Sequence, residues 1–209
     1  MTGARTVFIV DDDESVRESL AALLEAQGIA AVAFASAEAF LLGYRPQGAA
    51  CAVVDLRMPG MDGLTLLEHL RQKGFTLPVI VVTGHGDVPL AVRAMKAGAA
   101  DFIEKPYSNA SLLDAVARAL AGSQADGPAP LDQAEMRQRI AALTPRERDI
   151  LQQLVIGHPN KVIAHHLDIS PRTVEIHRAN LMKKMQADSL PHLVRMALAA
   201  GFPGDGAGQ

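Results

Sequence analysis

Asp11 and Asp12 follow the apolar run Val7–Val10, Asp55 closes "CAVVD", Thr83 closes "VIVVT", and Lys105 comes after "DFIE" and before Pro106. Three carboxylates, one hydroxyl and one ammonium at the ends of apolar runs point to one chemistry. Neighbouring carboxylates repel, and beside an apolar wall they lose hydration. A hard divalent cation lets them coexist; Mg²⁺ takes oxygen ligands, keeps waters and bridges carboxylates to phosphate. A lysine beside such a cation stabilises a carboxylate attacking a phosphoryl group, because that transfer is mostly positioning and charge neutralisation. The set therefore reads as an aspartate that accepts a phosphoryl group. Taken singly, Asp11–Asp13 read as a solvated turn, Thr83 as a strand-end residue and Lys105 as a surface lysine. Four strand ends with matching chemistry in the right order outweigh those readings.

The elements that must position them are legible as alternation. Strands are expected at Thr6–Val10, Ala30–Phe34, Ala52–Asp55, Pro78–Val82 and Asp101–Glu104. Helices are expected near Glu14–Gln27, Ala37–Gly43, Gly63–Gln72, Val88–Ala97 and Asn109–Ala121. Continuous apolar runs such as "PVIVVTG" predict strands buried on both faces, as in a parallel sheet. Strict alternation predicts a doubly wound α/β domain over residues 1–121, with ligands at the carboxyl ends of its strands. Asp13 and Glu14 are expected to open the first helix, where the dipole favours negative charge.

"GSQADGPAP", residues 122–130, reads as a linker, and a partly helical connection is expected to 142. Asp132 is a candidate cap for a short helix to Leu143. In "LTPRERDIL", Thr144, Pro145 and Glu147 predict a capping box, with the helix stopping at Gly157. Three more helices are expected at Lys161–Leu167, Pro171–Met185 and Leu190–Ala200, with Asn160 and Ser170 as caps and Asp168–Ile169 as the turn. Val174, His177, Leu181 and Met185 form a buried stripe at helical spacing. The other side carries Arg172, Thr173, Glu175, Ile176, Ala179 and Lys183, a narrow face flanked by cations that suits a DNA major groove. The plainer reading is an αα-hairpin used for protein contacts. His165 and His166 are adjacent and do not share a helical face, so a metal reading is set aside. The Gly-rich residues 203–209 read as a disordered tail.

Length allows one domain or two small ones, and composition is ordinary for a soluble globular protein. The 209 residues are 49% hydrophobic and 21% charged, with one cysteine, Cys51. An internal disulfide is thus excluded, and with no apolar stretch long enough to span a membrane the expected location is the cytoplasm. The net charge of −3 divides into −4 for residues 1–121 and +1 for the remainder.

"VDDDESVRESL", "VVDLRMPGMDG", "VIVVTGHGD" and "AMKAGAADFIEKP" resemble the receiver domain of two-component response regulators. The resemblance implies a five-stranded sheet of order 2-1-3-4-5 and a phosphoacceptor at Asp55. It implies Mg²⁺ held by Asp12, Asp55 and the carbonyl of Arg57, with Asp11 acting through water. Lys105 and Thr83 would meet the phosphoryl group, and Phe102 would be the switch aromatic that turns inward. The Lys105–Pro106 bond is expected to be cis, and Arg57 and His85 are expected to tune water access.

"LTPRERDIL", "NKVIAHHLDISPRTVEIHRANLMKKM" and "SLPHLVRMALAAGF", within residues 143–202, resemble the helix-turn-helix of the LuxR/NarL/FixJ group, and FixJ-type transcriptional regulators in particular. That implies a sensor histidine kinase as partner, promoter DNA as ligand and RNA polymerase as the machinery served. It further implies activation of nitrogen-fixation or microaerobic genes, and dimerisation on phosphorylation through Val88–Ala97 and Asp101–Glu104. In the reading face Glu175 suits cytosine N4, while Ile176 and Ala179 suit thymine methyls. Arg172, Arg178, Lys183 and Lys184 are assigned to phosphates. The rival from another class is a Mg²⁺-dependent aspartyl-phosphate phosphohydrolase with a helical cap. Against it, Arg57 stands where a second acid/base carboxylate would be needed, two residues after Asp55.

Overall fold

The computed structural model describes residues 5–45, 48–84, 88–122 and 133–202. In chain order the elements are β1 (Arg5–Val10), α1 (Glu14–Glu25), β2 (Ala30–Phe34), α2 (Ala37–Gly43), β3 (Ala49–Asp55), α3 (Gly63–Gln72), β4 (Val79–Thr83), α4 (Val88–Lys96), β5 (Asp101–Glu104) and α5 (Asn109–Gly122). Five helices follow: α6 (Gln133–Ala141), α7 (Pro145–Ile156), α8 (Asn160–His166), α9 (Pro171–Met185) and α10 (Leu190–Ala199). By packing, the described residues before 85 and those of 97–122 form one compact unit, and residues 88–96 and 133–202 form a second.

The strands form one parallel sheet of order β2-β1-β3-β4-β5. Every residue of β3 and β4 is buried, as the uninterrupted apolar runs predict. Val7, Ile9, Cys51, Val53, Ile80 and Val82 share a core with Leu20 and Leu24 of α1 and Leu112 and Val116 of α5. Cys51 is fully buried, and burial pushes its thiol up to about 12. β3 starts three residues earlier than expected, at Ala49, because it pairs with β1 from Arg5 onward. Alanines carry little strand preference of their own, so that extension comes from pairing. β4 starts one residue later than expected: Pro78 has no N–H for a ladder, and it contributes only its carbonyl, which accepts from Ala52 N–H at 2.8 Å.

In the helical unit, Ile150, Leu151 and Leu154 of α7 pack with Ile163 of α8, Val174, Leu181 and Met185 of α9, and Leu193 and Met196 of α10. Met136 and Ile140 of α6 belong to the same core. The short helix expected in the connection to residue 142 is therefore present as α6, and it is part of the core. α6 also donates from Arg139 to the Met185 carbonyl at 2.8 Å. That bond satisfies an acceptor left over at the end of α9. Thr144 and Glu147 form the expected capping box, and Gly157 ends α7 with φ 106°. The candidate cap Asp132 and the tail 203–209 lie outside the described residues.

Candidate functional site

Strand order reverses between β1 and β3, and the acidic residues stand at that point. Asp11 follows the last residue of β1, and Asp55 is the last residue of β3. Asp11, Asp55 and Thr83 are all buried, at 4%, 8% and 1% exposure. Lys105 follows β5; its Nζ donates to Asp55 Oδ1 at 2.7 Å and to Asp11 Oδ2 at 3.2 Å. The other Asp55 oxygen accepts from the Arg57 backbone N–H at 2.6 Å. Asp11 Oδ1 accepts from the Asp13 N–H at 3.0 Å. The Lys105 N–H donates to the Thr83 carbonyl at 2.7 Å, which ties the ends of β4 and β5 together. The Lys105–Pro106 bond is cis, as expected.

Close packing sets the position of Asp55. The Gly63 N–H donates to the Leu56 carbonyl at 3.0 Å, so the start of α3 lies against the end of β3. A Cβ on Gly63 would run into the Asp55 carbonyl oxygen. Only glycine fits there, for reasons of space rather than dihedral freedom.

The electrostatics follow from burial and pairing. Burial raises the Asp11 pKa, outweighing the lowering effects of the Asp13 N–H and Lys105. Burial opposes the charge of Lys105, but its bonds to Asp55 and Asp11 prevail and hold its pKa above the ordinary value. An uncompensated pair of buried carboxylates would be unstable. Here one ammonium serves both.

Asp13 caps α1, its side chain accepting from the Ser15 N–H at 2.9 Å, and its bonds to Ser15 hold its pKa down. Asp12 is exposed. The set Asp11, Asp12, Asp55 and the Arg57 carbonyl is all oxygen, which suits a hard cation. Among the described residues, however, no three His, Cys, Asp or Glu side chains are grouped so as to hold a metal. The observed arrangement is two carboxylates joined by Lys105. Phe102 is buried at 8% exposure, so the ring expected to turn inward already lies within the fold. His85 lies outside the described residues.

One site residue escaped the sequence reading. Arg17 Nη1 donates to the Asp11 carbonyl at 2.8 Å and to the Asp12 carbonyl at 2.9 Å. This guanidinium grips the backbone that presents both carboxylates. The available signal was an arginine one helical turn after the Asp13 cap, aligned with the acidic turn.

In the second unit, Ser170 caps α9 and accepts from the Thr173 N–H at 3.1 Å. Val174, Leu181 and Met185 are buried and His177 is half-buried, as the stripe predicts. Arg172, Glu175, Ile176, Ala179 and Lys183 are exposed, with Ile176 at 55%. Thr173 is half-buried. Two of the cations are tied to the protein itself. Arg178 Nη1 donates to Asn160 Oδ1 at 2.5 Å, and Lys184 Nζ donates to Glu147 Oε2 at 2.7 Å. Burial holds the Arg178 pKa below its usual value despite Glu175. Asn160 does not cap α8: Pro159 occupies that position without a side-chain bond, and the Asn160 amide is engaged with Arg178. His158 and His166 both place Nδ1 on Gln153 Oε1, at 2.7 and 2.8 Å.

Comparison with known proteins matches both halves. Residues 7–117 match the family described as response regulator receiver domain, and residues 141–197 match bacterial regulatory proteins, luxR family. The chain is 54% identical over 202 residues to the transcriptional regulatory protein FixJ of Azorhizobium caulinodans, covering 96% of each chain. It is 54% identical over 200 residues to FixJ of Rhizobium meliloti, covering 94% of this chain and 97% of that one. Among solved structures it resembles the response regulator StyR, with a TM-score of 0.56, 42% identity and coverage of 93% of this chain and 98% of that one. Full-length FixJ from B. japonicum gives a TM-score of 0.54 at 43% identity, covering 94% of this chain and 97% of that one. These relatives are regulators rather than enzymes, which sets the phosphohydrolase reading aside. The protein belongs to the two-component response regulators that join a receiver domain to a LuxR-type DNA-binding domain, and it is a FixJ-like member of them.

Proposed function

We propose that Asp55 accepts a phosphoryl group from a phosphohistidine of a sensor kinase, and that this switches promoter binding by α9. The observation that carries the reading is the Lys105 ammonium shared between Asp55 and Asp11 at the β1/β3 switch point. An Asp55 carboxylate oxygen attacks phosphorus, the P–N bond breaks, and its electron pair leaves with the imidazole nitrogen. Lys105 offsets charge on the transferred group, and Thr83, at the end of β4, donates its hydroxyl to a phosphoryl oxygen. Receiver domains generally use Mg²⁺ at this site. Here Asp11, Asp12, Asp55 and the Arg57 carbonyl would hold it, and it would supply charge neutralisation for the phosphoryl oxygens.

Phosphorylation alters the face formed by residues 88–97 and 101–104, and two copies pair through it, presenting two α9 helices to paired half-sites. Phe102 is the aromatic that repacks. The receiver spans residues 1–121 and the DNA-binding domain residues 143–202, with α6 completing the latter's core. The regulated genes are of the nitrogen-fixation or microaerobic kind, and the output is activation through RNA polymerase. The regulator works in the cytoplasm; no described helix is long and apolar enough to cross a membrane.

Ultracentrifugation and duplex-DNA titration, with and without beryllofluoride and Mg²⁺, test the switch. The expected result is dimerisation together with tighter DNA binding. Tighter binding by a species that stays monomeric would contradict the dimer step and favour release of a masked DNA-binding unit.

A further inference from the structure

α9 carries four cations, and charge alone assigns all of them to DNA phosphates. The structure separates them by partner. Glu147 lies on α7, outside the helix-turn-helix, and is 4% exposed. Its Oε2 accepts from the Lys184 ammonium at 2.7 Å and from the Thr144 N–H at 2.8 Å. A carboxylate withdrawn from water needs a charged partner, and losing that partner is strongly destabilising. Burial works against the charge of Glu147, yet the bonds from Lys184 and Thr144 hold its pKa below the ordinary value. One oxygen therefore closes the start of α7 and holds the last turn of α9. Arg139 fixes the same turn through the Met185 carbonyl, and Gln186 ends the helix in the left-handed region at φ 55°. Lys184 is exposed, as Arg172 and Lys183 are, and what sets it apart is its bond to Glu147.

We propose that Glu147 is a positioning residue for DNA recognition and that Lys184 serves as its counter-ion rather than as a phosphate contact. The proposal rests on α9 being the recognition helix. Glu175, Ile176 and Ala179 read base edges only if the helix is held in rotation and depth, and base contacts are lost by small displacements. The Glu147–Lys184 pair supplies that hold from α7. An ammonium committed to an internal carboxylate displaces no counterion from DNA, so it leaves no mark on the salt dependence of binding.

The test uses the full-length protein with two probes: a duplex selected by the wild-type protein from a randomised pool, and a random-sequence duplex. Affinity is measured across a NaCl series. Lys184→Met is expected to weaken the selected duplex about tenfold, the scale of one lost base contact, with the random duplex unchanged. Its slope of log K against log [salt] should equal the wild-type slope. Glu147→Gln should behave alike, and the double variant should be no worse than either single one. Lys183→Met is the control, expected to reduce the slope by about 0.9. Should Lys184→Met not fold, Lys184→Gln keeps a donor for Glu147 and should also retain the full slope. A slope reduced by about 0.9 in either Lys184 variant would make Lys184 a phosphate contact and overturn the proposal. If Arg172→Ala and Lys183→Met also leave the slope untouched, α9 is not the DNA-binding helix, and the proposal falls with that reading.

Discussion

Lys105 lies 2.7 Å from Asp55 and 3.2 Å from Asp11, with the closer contact on the strand that ends the topological switch. The ammonium is thus held at the carboxylate proposed to react, and Asp11 keeps it within the crevice. The arrangement explains how the acidic cluster tolerates burial, and it separates neighbouring aspartates by role.

Asp12 and Asp13 are adjacent but should behave differently. Asp13 is the cap of α1 and Asp12 is an exposed member of the proposed metal set. Asp12→Ala should abolish Mg²⁺-dependent phosphorylation. Asp13→Ala should retain it and lower thermal stability instead. Phos-tag electrophoresis and thermal melts on the two variants distinguish these outcomes.

Gly63→Ala should disturb both stability and phosphorylation, because the new methyl meets the Asp55 backbone. Overpacking of this kind costs about 1–3 kcal/mol. Urea unfolding of the variant checks the first effect, and the phosphorylation rate with a small phosphodonor checks the second.

Arg17→Ala frees the carbonyls of Asp11 and Asp12. The variant should need more Mg²⁺ for half-maximal phosphorylation while approaching the wild-type rate at saturation. A fall in the saturating rate with an unchanged Mg²⁺ requirement would place the role of Arg17 in the transfer step.

Glu147 sets an acid dependence for the helical unit. Its folded pKa is lowered, so its stabilisation is present above the ordinary glutamate value and lost as pH falls through the folded value. Glu147→Gln should therefore lower stability at neutral pH and flatten the decline between neutral and acid conditions. Denaturant midpoints of the two proteins at neutral and acidic pH measure this.

The receiver was legible because its chemistry sits at strand ends, where apolar runs meet Asp11, Asp55, Thr83 and Lys105. Arg17 was not, because it acts on carbonyls, and a side chain's backbone partners leave no trace in residue type. The internal partners of Lys184 and Arg178 were not legible, because sequence shows charge but not what meets it, Glu147 lying 37 residues away and Asn160 18 residues away. α6 was expected as a short helix, but its place in the helical core was not legible, because in a polar segment only Met136 and Ile140 mark its inner face. Asn160 has the residue type of a cap, but its amide is drawn to Arg178.

Asp55 is the residue on which the proposed phosphoryl transfer to this protein depends. The direct measurement is the intact mass of the protein after incubation with acetyl phosphate and Mg²⁺. The prediction is a single phosphate adduct that is lost in Asp55→Asn and in the absence of Mg²⁺. An unchanged wild-type mass, or an adduct that persists in Asp55→Asn, would contradict it.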